Sequence, residues 1–161
     1  MASKIDCKEC AVKLLAVKDR TEKELRDKLV QKGYEADEID GAVEFMANYG
    51  YINDRAYAEK YLSDGINLRG HGEGRIKLEL LRRGVSRETV EEVIAENMSF
   101  DASERIAEVL DRRFADADMG NPKERNRIFA YFARRGYRSG DIRSAMNSRS
   151  AFRDIEWEDE P

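Results

Sequence analysis

Apolar residues recur along the chain at helical spacing: Ile39, Val43 and Met46, then Val90, Val93 and Ile94, then Ile106, Val109, Leu110 and Phe114. Intervals of three and four residues line one face of a helix. No sustained two-residue alternation bounded by hairpin turns occurs, and only 2 prolines interrupt 161 residues, so the chain reads as all-α. The pattern also repeats. Gly33, Gly84 and Gly136 stand 51 and then 52 residues apart. Eight residues before them lie Leu25, Ile76 and Ile128, and four before them Leu29, Leu80 and Phe132. Six residues after come Ile39, Val90 and Ile142, and ten after Val43, Ile94 and Met146. An apolar pair, a glycine and a second apolar pair describe two helices joined at a left-handed C-cap, which glycine enters without a Cβ penalty. A further amphipathic segment precedes each pair, at about 8–19, 54–67 and 102–115, so each unit predicts three short helices.

These units set the expected domains: 1–52, 53–99 and 100–150 as three tandem helix-turn-helix-like repeats, with 151–161 as a disordered acidic tail. Thr21 with Glu24, and Asp101 with Glu104, have the form of capping boxes. Asn121-Pro122 places proline at a first helical position, and Asp54 suits the N-cap of the fourth helix. Three stacked units of this kind are expected to form an elongated, curved stack with a broad concave face.

Composition changes the picture in one respect. With 39% charged and 41% hydrophobic residues, the chain can pack amphipathic elements and is not a disordered class. The net charge of −4 conceals an asymmetry. From Lys123 to Arg153 there are nine Lys/Arg against two acids, whereas Asp154 to Pro161 holds five acids and no base. A basic stretch beside an acidic tail points to an anionic partner for the former. Trp157 and its acids could alternatively fold back on the basic third unit and compete with that partner. No apolar run approaches the ~20 residues of a membrane span, and Met1 to Asp6 lacks a signal-type stretch, so a cytoplasmic protein is expected.

Chemistry-bearing motifs are sparse. Cys7 and Cys10 form a C-x-x-C without a second ligand pair, and His71 is the 1 histidine. Gly70-His71-Gly72-Glu73-Gly74 lacks the Lys-Ser/Thr of a phosphate loop and reads as a flexible connector, able to hinge. No catalytic residue, metal, cofactor or small-molecule substrate is therefore expected. The arginines say more. Lys32, Arg83 and Arg135 precede the repeated glycines, where the helix macrodipole alone favours cations. Arg127, Arg134 and Arg138 are spaced to share one edge, and Arg75 and Arg82 repeat the seven-residue interval. With Arg125 and Arg143 they form the candidate binding set, because a guanidinium fork suits carboxylate or phosphate. The tyrosines favour helix packing over stacking on bases.

Taken together, Arg20-Thr21, Glu24-Leu25, Leu29, Lys32-Gly33 and Ile39 resemble the bacterial regulatory RecX family. Gly50-Tyr51-Ile52-Asn53-Asp54, running on to Tyr57-Ala58 and Tyr61, is the most specific part. Gly74-Arg75-Ile76, Leu80 and Arg83-Gly84-Val85 continue the likeness through the second unit. The resemblance implies a non-enzymatic, monomeric regulator that lodges in the RecA filament on DNA and limits its growth, ATP hydrolysis and strand exchange. It also implies direct DNA binding in some members, so a stand-alone DNA-binding regulator is the alternative. The family carries no catalytic motif to transfer, and Cys7, Cys10 and the acidic tail fall outside its pattern.

Overall fold

In the computed structural model the described residues are 5–97 and 102–148. They hold nine helices and no strand: α1 (Cys7–Val17), α2 (Glu22–Gln31), α3 (Ala36–Asn48), α4 (Asp54–Asn67), α5 (Glu73–Arg82), α6 (Arg87–Asn97), α7 (Ala102–Arg113), α8 (Pro122–Arg134) and α9 (Ser139–Ser148). The Asp101 cap and the acidic tail with Trp157 lie outside the described residues.

The repeated apolar positions form the core. Leu25, Ile76 and Ile128 are wholly buried, as are Leu29 and Leu80, with Phe132 only 1% exposed. Ile39, Val90, Ile142, Val43, Ile94 and Met146 are also buried. Each glycine adopts the left-handed conformation, with φ of 81° at Gly33, 89° at Gly84 and 87° at Gly136. The hydrogen bonds around each are those of a Schellman motif. At the first, Gly33 N–H donates to Val30 C=O (2.9 Å) and Tyr34 N–H to Leu29 C=O (3.3 Å). Gly84 with Val85, and Gly136 with Tyr137, repeat the pair. The residue after the glycine folds back over the helix end, which is why Tyr34 and Val85 are buried.

Capping follows the sequence at two helices and departs from it at a third. Thr21 and Glu24 make a complete capping box on α2, and Asn121 caps α8 ahead of Pro122. On α4 the cap is Asn53, whose Oδ1 accepts from Ala56 N–H at 3.0 Å. Asp54 instead opens that helix and accepts from Glu22 N–H at 2.8 Å.

The chain divides into two compact units, Met1–Asp64 with Lys77–Asn97, and Gly65–Ile76 with Met98–Pro161. The division passes through α4 and α5, each of which lends residues to both. In the first unit, α1, α2 and α3 pack together around Leu25, Leu29, Ala42 and Met46. In the second, α9 packs on α7 and α8 around Ile106, Leu110, Phe132 and Ile142.

Within the second unit the glycine-rich segment departs from its expected role as a flexible hinge. Gly72 N–H donates to Arg135 C=O at 2.6 Å, and Gly74 N–H to Gly136 C=O at 3.1 Å. A Cβ on Gly72 would lie 2.6 Å from Gly136 C and O. The glycines allow backbone to meet backbone, so this segment is pinned to the turn after α8.

Candidate partner-binding surface

The basic residues of the second unit divide by what surrounds them. Arg125 points into its own loop: half-buried, it donates to Met119 C=O (3.0 Å) and Gly120 C=O (3.3 Å). Arg143 is half-buried, with its guanidinium 5.9 Å from the Phe129 ring centre. Arg135, discounted as a helix-end cation, lies over the Tyr131 ring at 3.6 Å. Burying these stems covers apolar surface while the charge stays near water.

Arg127 and Arg134 are exposed on α8, and their seven-residue spacing puts them on one face. Arg138 does not continue that helical edge, because α8 ends at Arg134 and the chain turns at Gly136. It stands just before α9, 71% exposed, paired with Glu73 at 2.8 Å. Arg127 pairs with Glu124 at 3.0 Å. Arg134 makes no ion pair with a described residue, and neither does the exposed Lys123. Arg75 is exposed in the first turn of α5, its backbone set against Gly136. Arg82, in the last turn of α5, is exposed in the first unit and has no ion pair among the described residues.

Exposed ion pairs such as Arg127–Glu124 contribute only about 0–1 kcal/mol. A carboxylate or phosphate from a partner can therefore replace the internal acid at small cost. Exposed guanidinium groups have the geometry that suits a carboxylate or phosphate.

A cavity of about 270 Å³ lies beside these residues, lined by His71, Glu73, Arg105, Tyr137, Arg138 and Asp141. Burial pushes the Tyr137 hydroxyl above its ordinary pKa, keeping it neutral. Among the described residues no three His, Cys, Asp or Glu side chains group as metal ligands. No helix of the described residues is long and apolar enough to cross a membrane. Cys7 and Cys10 are not joined in a disulfide and lie buried in the first unit's core.

The first unit holds a surface that the charge pattern does not reveal. Tyr51 is 61% exposed, so it is not the packing residue that the tyrosines were expected to be. Beside it, Tyr57 and Tyr61 stack with centroids 6.1 Å apart and planes at 15°. Arg83 ties them down: its guanidinium donates to the Tyr57 hydroxyl (3.1 Å) and to Glu24 (2.8 Å), and lies 5.1 Å from the Tyr61 ring centre. The Tyr61 hydroxyl bonds Glu79. Burial and the nearby Glu24 raise the pKa of Tyr57. Exposure of Tyr51 was the missing signal, and an aromatic beside a glycine at a helix junction does not declare it.

Comparison with known proteins gives one answer. Residues 7–46 match the model of the RecX first three-helix domain, and residues 53–94 that of the second. A regulatory protein RecX of Trichlorobacter lovleyi is 37% identical over 142 residues, covering 86% of this chain and 92% of that protein. The one from Clostridium perfringens strain 13 is 34% identical over 136 residues, 83% of this chain. The chain spans only 63% of that relative's length. Among solved structures, RecX from Lactobacillus salivarius aligns with a TM-score of 0.74 at 25% identity, over 88% of this chain and 92% of that one. A second crystal structure of a regulatory protein RecX, 17% identical, shares the fold with a TM-score of 0.76 over 88% of this chain and 72% of that one.

Proposed function

This chain belongs to the RecX family, and from that premise we propose that it binds the RecA filament on DNA and restrains it. The restraint falls on filament growth, ATP hydrolysis and strand exchange, and so regulates DNA repair and recombination. The protein acts as a cytoplasmic monomer, without cofactor and without catalysing a reaction. The observation that carries this reading is 37% identity across 92% of a regulatory RecX protein.

The electrostatics of the second unit support it. Arg127, Arg134 and Arg138 present planar forks that are unpaired or weakly paired, and each can transfer to an acidic group of the partner. Arg75, at the start of α5, adds an exposed guanidinium group to the second unit, and Arg82 presents one on the first. Arg125 and Arg143 serve instead to hold the α8 and α9 region in place. A regulator of this kind needs complementary charge and a rigid carrier, not chemistry.

The test is DNA-dependent ATP hydrolysis by RecA while this protein is titrated in. Inhibition well below one molecule per recombinase monomer is the expected result. Unchanged hydrolysis, together with tight DNA binding that falls steeply with salt, would favour a stand-alone DNA-binding regulator.

A further inference from the structure

Two hollows of about 210 and 230 Å³ lie on the first unit and share Asp19, Tyr57 and Lys60. Together they make one groove. Tyr51, Tyr57 and Tyr61 supply its aromatic surface, and Lys18, Arg20 and Lys60 its cations. Its residues come from the α1–α2 and α3–α4 loops and from α4, all within the first compact unit.

We propose that this groove is a docking site for a protein segment that inserts an aromatic or aliphatic side chain between the tyrosines and presents a carboxylate to Arg20. The inference rests on the reading above, that the partner is the recombinase filament, and names the surface of the first unit that engages it.

Three observations carry it. First, Tyr51 leaves most of its ring in water. Large exposed aromatics beside arginine are the composition of binding hot spots rather than of ordinary surface. Second, Tyr57 and Tyr61 are already fixed through Arg83 and Glu79, so little side-chain freedom is lost when a partner binds. Third, Arg20 lines the groove and makes no ion pair with a described residue, although Asp19 precedes it in the chain and is taken by Lys60. A guanidinium whose charge no internal acid answers suits an incoming carboxylate.

Carboxylate is favoured over a nucleic-acid phosphate by the local charge. Lys60 is already paired with Asp19 at 2.6 Å, and Asp64 lines the same groove. Two acids among three cations leave too weak a positive field to follow a polyanionic strand, which demands a run of uncompensated bases. Mixed signs around an aromatic centre instead suit a protein surface, where charge sets register.

The experiment measures binding of the full chain to RecA filaments assembled on a fluorescent oligo-dT with a non-hydrolysable ATP analogue, and to the bare oligo-dT. Tyr51→Ala is the principal variant, since an exposed ring is removable without loss of fold, and Arg20→Gln is the second. Thermal unfolding of each variant identifies any that fails to fold, and Tyr51→Phe should bind like wild type. The expected result is a loss of at least about tenfold in filament affinity for Tyr51→Ala, with bare oligo-dT binding unchanged. Folded variants that bind filaments as well as wild type overturn the docking site and leave the wider reading standing. Equal losses on filament and bare oligo-dT overturn it in favour of nucleic acid. A wild-type chain that binds no filament overturns the reading on which the inference rests.

Discussion

Gly136 meets Arg75 with no room for a side chain: a Cβ built on Gly136 would lie 2.3 Å from Arg75 N and 2.5 Å from Arg75 Cβ. The turn that ends α8 thus fixes the start of α5, which carries Arg75, and the Glu73 carboxylate that holds Arg138. Gly33 has the same left-handed backbone but nothing within 4 Å of its added Cβ. Gly33→Ala should cost only the backbone strain, about 1–2 kcal/mol. Gly136→Ala should cost distinctly more, because backbone must also move. Urea unfolding of the two variants makes the comparison, and equal losses would contradict it.

Thr21 ties α2 to the far end of α5 inside the first unit. It is wholly buried, its hydroxyl donates to Arg83 C=O at 2.6 Å, and it accepts from Glu24 N–H at 3.1 Å. Thr21→Ala removes both bonds and leaves a buried carbonyl unsatisfied, a loss of about 2 kcal/mol. Thr21→Ser, which keeps the hydroxyl, should retain most of the stability in the same unfolding measurement.

Asp54 carries a pH dependence of known sign. Burial, ahead of every other influence, raises its pKa, and the Glu22 and Glu24 charges add to this. A carboxylate whose pKa is raised on folding penalises the native state above that raised value, and the penalty disappears below the unfolded pKa of about 3.9. Asp54→Asn keeps an acceptor for Glu22 N–H and removes the charge. The variant should therefore be the more stable at pH 7, with the advantage fading as pH falls through the raised pKa toward about 4. An advantage that does not change with pH would contradict this.

The arginines separate by experiment as they do by position. Arg127→Glu with Arg134→Glu should cost no more than about 1–2 kcal/mol of stability, since both side chains are exposed and only the pair with Glu124 and a cation in the last turn of α8 are lost. Filament affinity should fall about tenfold or more at low salt and by less at high salt. Arg125→Ala should cost about 1–2 kcal/mol of stability, because it frees the Met119 and Gly120 carbonyls it now binds.

Periodicity reports the phase of a residue on its helix, and that was enough for the core. Leu25, Ile76 and Ile128 share a phase relative to their glycines, and all three are wholly buried. Phase does not report what a neighbouring element brings. Arg125 and Arg127 lie two residues apart on α8, yet one turns to the loop carbonyls and the other to solvent. Arg138 leaves the α8 edge for a related reason: a constant spacing in sequence does not cross a left-handed turn as a constant direction. Gly72 and Gly74 read as freedom in the chain, whereas their function is close approach to a turn more than sixty residues away (from 72 to 136). The tyrosine groove needs three separate segments to come together, and no local pattern records that.

The most direct measurement of the central claim is the fluorescence anisotropy of the labelled 161-residue chain titrated with preformed RecA filaments and, separately, with the same bare oligonucleotide. Saturable binding to filaments, tighter than to bare DNA and weakened by α8 charge reversal, is the result this account predicts. Binding to the bare strand as tight as to the filament, indifferent to those reversals, would contradict it.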